Sequence, residues 1–269
     1  MTQQKRLRGR PKAFTDKGGA RIQSLERALD VLAHVSEAGG QSLSEIAEAL
    51  DASPATIYRI LSTFAARGYL EMDATSQQWH VGPAAFRTGN AFLRRTGMVE
   101  RARPLMRALM QETGETANLG IESAGQVLFL SQVETEAAIR AFFPPGTLSP
   151  MYASGIGKAL LAALDEAEIE RYISRVPLIR FTDKTICERD ALREELARIR
   201  TQGYAFDDEE KSLGMRCVAA PIFNGFGEVI AGISISGPTA RLSMDKIERA
   251  CSAVRNRAAE LSHALGYGA

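Results

Sequence analysis

Two groups of residues in this chain have the types and spacing to do chemistry. The first is RLRGRPK, where Arg6, Arg8, Arg10 and Lys12 are interleaved with Leu7, Gly9 and Pro11. The whole chain has a formal net charge of +1, yet residues 1–21 hold a net +6 and residues 22–92 a net −4. A basic arm ahead of an acidic segment suits a polyanion. It suits a solvated tail as well, and the two readings agree, because a segment that orders on binding is unordered when free.

The second group is spread over the C-terminal half. Ser234 and Ser236 alternate with Ile233 and Ile235, so both hydroxyls point to one side of a strand. Paired hydroxyls in an apolar strand need partners, and a small polar ligand would supply them. SGIGKALLAAL offers a helix N-terminus, where free N–H groups and the dipole attract an anion. Gly155 leaves room there and Ile156 supplies an N–H. Its Gly-Lys pair is no phosphate loop, because Tyr152 stands where a glycine is required and Ala159 where a Ser or Thr is required. Asp207 lies in a polar stretch just before Cys217. Taken singly, Cys217 reads as a small buried hydrophobe, Asp207 in DDEE as surface charge, and the serines as partners of the backbone.

Cys217 as a catalytic nucleophile would need a base. His34 and His80 fall in the N-terminal part and His263 near the C-terminus. The sequence shows no triad, dinucleotide or metal signature. Cys187, Cys217 and Cys251 are too far apart for a metal motif and give no disulfide framework. A non-enzyme without metal or cofactor is expected. No apolar run reaches the roughly 18–20 residues of a membrane span, no signal peptide is visible, and the expected location is the reducing cytoplasm.

The elements that must position these groups are legible. SLERALDVLAHV places Leu25, Ala28, Leu29 and Leu32 on one helical face. SLSEIAEAL opens with a capping box, Ser42 and Glu45, and has a short apolar face of Leu43, Ile46, Ala47 and Leu50. After the turn DASP, Ser53 is the N-cap and Pro54 the first residue of PATIYRILSTFAARG. That helix buries Ile57, Ile60, Leu61 and Phe64 and shows Thr56, Tyr58, Arg59, Ser62 and Thr63. YLEMD and QQWHVG form a hairpin. Three helices and a hairpin outline a winged helix-turn-helix over residues 22–83. Residues 84–110 read as a basic helical linker. Residues 111–269 mix strands (ANLGIES, QVLFLSQV, AIRAFF, CVAAPIF, VIAGISISG) with amphipathic helices, an α/β sheet domain that makes the whole chain α+β. PPGTLSP reads as loop, and Ile247, Cys251, Val254, Ala258, Leu261 and Leu265 stripe the last helix.

A DNA major groove admits one α-helix. The polar face of the third helix supplies the expected contacts, Thr56, Tyr58, Arg59 and Ser62, with Ser53 and the helix N-terminus on phosphate. The RGRP of the arm resembles the AT-hook core of architectural DNA-binding proteins. Gly9 would allow close approach in the minor groove, and Arg8 and Arg10 would lie along it.

Over nearly its full length the chain resembles the IclR family of bacterial transcription regulators. SLERALDVLAHV, SLSEIAEALDASPATIYRILSTFAARGYL, WHVG, YASGIGKALLA, RIRTQGYAFDDEE, MRCVAAPIF and VIAGISISGPTARL carry the resemblance. It implies a winged helix-turn-helix followed by an effector-binding domain of GAF-like fold, assembled as dimers or dimers of dimers on a pseudo-palindromic double-stranded operator. RGRP and ISISGP resemble the glyoxylate-responsive, allantoin repressor-like subgroup. That likeness implies a pocket of Gly155, Ile156, Asp207, Cys217, Ser234 and Ser236 for glyoxylate or another small 2-oxo acid such as pyruvate. The amides and serines would hold the carboxylate, Cys217 and Asp207 the aldehyde or its hydrate, and Leu213 and Met215 an apolar wall. Ligand binding is expected to change the spacing of the winged domains through the linker.

Overall fold

The computed structural model describes residues 21–268. It divides into two compact units between Phe92 and Leu93, inside the helix Pro83–Thr96, here α4.

In the first unit, α1 (Gln23–Ala38), α2 (Leu43–Ala49) and α3 (Pro54–Ala66) are followed by a hairpin of β1 (Leu70–Met72) and β2 (Trp79–Val81). The local signals act as read. Ser42 and Glu45 form a reciprocal capping box. The Ser53 side chain accepts from the Thr56 N–H, and Pro54 opens the helix, where its missing donor costs nothing. Val31, Val35, Ile46, Ile57, Leu61, Leu70 and Trp79 form the core, with Ile60 and Phe64 packed against it. The apolar face expected for α1 differs from the one that is buried. Val31 and Val35 point into the core, Leu32 lies partly against it, and Leu25 and Leu29 are each more than half exposed. Ile22 lies exposed beside them. The helix has two apolar stripes, and periodicity alone chose the wrong one.

The second unit is built on an antiparallel sheet in the order β5-β4-β3-β8-β7-β6. Its strands are β3 (Thr116–Ser123), β4 (Gln126–Val133), β5 (Leu148–Pro150), β6 (Ala205–Asp208), β7 (Met215–Phe223) and β8 (Val229–Pro238). AIRAFF, expected as a strand, is irregular, and the edge strand comes instead from LSP inside the expected loop. One face of the sheet packs on α5 (Met98–Thr113) and α9 (Met244–Ala264), and the other on α6 (Gly155–Ala162), α7 (Glu166–Arg175) and α8 (Arg189–Gln202). Alternation assigns β8: Ile233 and Ile235 lie in the α5/α9 core, so Ser234 and Ser236 face α6. Met98, Ala102, Met106 and Leu109 of α5 are buried in that same core. Much of the span read as a linker is therefore a core helix of the second unit.

Candidate functional site

In the first unit, α3 turns Ile57 and Leu61 inward and leaves Ser53, Tyr58 and Arg59 exposed, with Thr56 and Ser62 partly buried. Ser53 and Thr56 are tied to each other, Oγ to Oγ1 at 2.9 Å, so the hydroxyls at the helix start are held before any ligand arrives. The expected contacts of α3 thus lie along one helix and its N-cap. Arg8, Gly9 and Arg10 of the arm lie outside the described residues.

In the second unit, strand pairing assembles residues far apart in sequence. Asp207 on β6 sits opposite Cys217 on β7, Cys217 opposite Ser236 on β8, and Ser236 opposite Thr116 on β3. Directly paired residues share one face, so these four form a row across the sheet. Ser234 lies in the parallel row, between Ala219 and Asn118. Above the two rows sits the start of α6. Ser154 caps it by accepting from the Gly157 N–H at 3.2 Å. The N–H groups of Gly155 and Ile156 precede the helix's own hydrogen-bond ladder. A Cβ on Gly155 would stand 2.6 Å from Cys217 Sγ, and one on Gly157 would stand 2.2 Å from the Met151 backbone. Glycine at both positions lets the helix start close onto Cys217 of β7 and onto the bend at Met151.

Gly155, Ile156, Asp207, Cys217, Ser234 and Ser236 all line one cavity of about 40 Å³. Phe129, Phe143, Ala153 and Met215 supply apolar wall. Leu213, expected in that wall, is instead 74% exposed. The cavity has two cations that pattern reading missed, Lys211 and Arg216. Arg216 lies within MRCVAAPIF and Lys211 directly follows RIRTQGYAFDDEE, and only folding shows that both reach the cavity.

The polar groups inside are under pressure. Ser234 Oγ is buried without a well-formed hydrogen bond. The Cys217 thiol beside it, whose ionised form Ser234 and Ser236 favour, is a weak partner, so a polar group in the cavity would satisfy it better. Asn118 Nδ2 donates to Ser236 Oγ at 3.4 Å. Burial pushes the Cys217 thiol up to about 11, reinforced by the Asp207 carboxylate. It is a neutral thiol at physiological pH and a poor nucleophile. Burial pushes Asp207 up to about 6, against the pull of Lys158 and of the Glu210 N–H that donates to it at 2.8 Å.

Beneath the cavity wall lies a fully buried lysine. Lys158 Nζ donates to Glu210 Oε1, to Glu195 Oε1 at 3.1 Å and to the Phe206 carbonyl at 2.7 Å. Burial opposes its charge, but Glu210 and Glu195 outweigh that and hold its pKa above the ordinary value. Burial raises Glu210 to about 7 even beside Lys158. A larger cleft of about 350 Å³ between α6, α8 and α9 is lined by alanines, Ile199, Pro221 and Phe223 together with Arg200, Arg255, Ser262 and Tyr267. Among the described residues it contains no buried unpartnered polar atom.

Comparison with known proteins decides the family. Residues 24–74 match the IclR helix-turn-helix domain, and residues 90–263 match the C-terminal domain of the bacterial transcriptional regulator IclR. The chain belongs to the IclR family. Among its IclR relatives, the HTH-type transcriptional regulator BhcR of Paracoccus denitrificans is 53% identical, covering 98% of this chain and 96% of BhcR. The HTH-type transcriptional repressor AllR of Escherichia coli is 35% identical, covering 98% of each. The IclR of Thermotoga maritima superposes with a TM-score of 0.77 at 31% identity, over 92% of this chain and all of that one. As an IclR-family member the chain is a ligand-responsive, DNA-binding transcriptional regulator, and its relatives are regulators rather than enzymes. No helix among the described residues is long and apolar enough to cross a membrane.

Proposed function

We propose that this regulator senses a small 2-oxo acid, glyoxylate first, in the cavity beneath the start of α6, and reads operator DNA with α3. The observation that carries the reading is the buried Ser234 hydroxyl, which makes no well-formed hydrogen bond and has only the weakly accepting Cys217 thiol beside it, in a cavity also lined by the start of α6. The cavity is small, about 40 Å³. That favours an acid of two or three carbons over an aromatic one. The first-turn N–H groups and the two serines suit a carboxylate. Cys217 and Asp207, paired across β6 and β7, suit the carbonyl or its hydrate. Pyruvate is the second choice because of its extra methyl group.

On the DNA side, Thr56, Tyr58, Arg59 and Ser62 serve the major groove, Ser53 the phosphates, and Arg8, Gly9 and Arg10 a neighbouring minor groove. The exposed stripe of Ile22, Leu25 and Leu29 on α1 favours self-association on a pseudo-palindromic site. Changing operator affinity tenfold requires the effector to prefer one arrangement by about 1.4 kcal/mol.

The test is fluorescence anisotropy on DNA upstream of the protein's own gene, with and without glyoxylate at fixed salt. Cys217→Ala and Ser234→Ala are expected to weaken the ligand response and leave ligand-free DNA binding intact. Loss of DNA binding in either folded variant would refute the division of labour.

A further inference from the structure

Lys211 sits in the connection between β6 and β7 and is partly buried. Its Nζ donates to Ser149 Oγ at 2.9 Å. Ser149 is buried on β5. β5 and β6 are the opposite edges of the six-stranded sheet. One side chain, rooted beyond one edge, therefore ends on the other. The sheet curls far enough for a single lysine to span it, and both Lys211 and Ser149 line the cavity.

The other cations nearby are already committed. Arg216 Nε donates to Asp208 at 2.6 Å and its Nη1 to the Leu242 carbonyl at 3.0 Å. Lys158 is enclosed by Glu195, Glu210 and a carbonyl. Lys211 makes no direct ion pair among the described residues. An ammonium has three donors, and Ser149 takes one.

Burial lowers the Lys211 pKa, with Asp207 opposing the shift. The ammonium thus sits where its charge is poorly solvated and where an incoming anion would be welcome. Without it, a carboxylate entering the cavity would meet the Asp207 side chain with no cation free to offset it.

We infer that Lys211 is the charge-selecting residue of the effector site: held across the cavity by Ser149, it receives the ligand's carboxylate and excludes uncharged analogues of the same shape. The inference rests on the reading of this cavity as the 2-oxo acid site. In so small a space every lining group lies close to any occupant, so the ammonium acts together with the α6 N–H groups. Ser149 positions the ammonium, and it is the anionic end of the ligand that replaces the charge partner Lys211 lacks.

The experiment is calorimetric titration of the full chain with glyoxylate and pyruvate and with their uncharged amides, glyoxylamide and pyruvamide. The unaltered protein is expected to prefer acid over amide by about tenfold or more. Lys211→Met and Lys211→Gln should lower that ratio several-fold, the remainder coming from the α6 N–H groups, with ligand-free operator binding unchanged. Lys211→Arg should keep part of the preference. Ser149→Ala should weaken acid binding a few-fold and retain the preference, since the charge remains. A full preference retained by both Lys211→Met and Lys211→Gln would overturn the assignment and leave the cavity reading standing. If neither acid binds the unaltered protein, the cavity reading falls and takes the assignment with it.

Discussion

Replacing Lys158 with methionine isolates the buried charge cluster of the second unit. Met fills similar volume, so packing changes little, but Glu195 and Glu210 lose the cation between them. Removing one partner of a buried pair costs about 3–5 kcal/mol, because a charge is left behind in a poor medium. For a unit of this size that corresponds to a fall in Tm of roughly 10 °C or more. The loss should depend on pH in a defined direction. Glu210 already has a folded pKa near 7, above the ordinary value of 4.5. Lys158 lowers it, so the variant's Glu210 titrates higher still. A carboxyl whose folded pKa is raised contributes stability that is full below its unfolded pKa and is lost as pH rises through the folded one. The variant should therefore lie closest to the parent near pH 5, where Glu210 is protonated in both, and furthest from it near pH 8. Urea denaturation at pH 5, 7 and 8, followed by far-ultraviolet circular dichroism, measures this. A loss below about 1 kcal/mol at pH 8, the range of an exposed pair, or a loss that does not change with pH, would refute the reasoning.

Three further outcomes are expected. Arg59→Ala should cost about 1–3 kcal/mol of specific operator binding if it reads a base edge, with helix content unchanged, and unchanged affinity in anisotropy would remove α3 from the groove. Leu25→Asp combined with Leu29→Asp places charge on an exposed stripe, so monomer stability should hold within about 0.5 kcal/mol while sedimentation shows a smaller assembly; an unchanged assembly would show that the stripe is no interface. Deleting residues 1–12 should lower DNA affinity and flatten the logarithmic salt dependence by about four, whereas an unchanged slope would show that the arm does not touch phosphate.

Local chemistry explains what was readable beforehand. Ser42 with Glu45, Ser53 with Pro54, and the apolar spacing of Ile57, Ile60, Leu61 and Phe64 act within a few residues of themselves, so they mark helices α2 and α3 before any tertiary contact exists. The period-two alternation of Ile233, Ser234, Ile235 and Ser236 likewise assigned two faces to β8. The naming of Asp207 and Cys217 drew on family resemblance, since neither carries a local signal.

Tertiary structure decided the rest, because the forces involved act between distant segments. Strand register put Asp207, Cys217, Ser236 and Thr116 in one row, and no periodicity within a segment encodes a register between segments. Helix α1 carries two apolar stripes, and only packing against α3 and the hairpin shows that Val31 and Val35 go inward while Leu25 and Leu29 stay out. AIRAFF has strand composition but stays irregular, whereas Leu148–Pro150 pairs with β4. Lys158, in a run whose sequence marks only a helix N-terminus, is enclosed because α8 and the segment after β6 bring Glu195 and Glu210 over it. Lys211 sits in a loop with no motif, and it becomes a cavity residue only when the curled sheet carries Ser149 across to meet it. The sequence by itself determined the helices and hairpin of the first unit, most of the strands and helices of the second, and the polar face of α3. The curl and register of one sheet decided which side chains meet around the cavity.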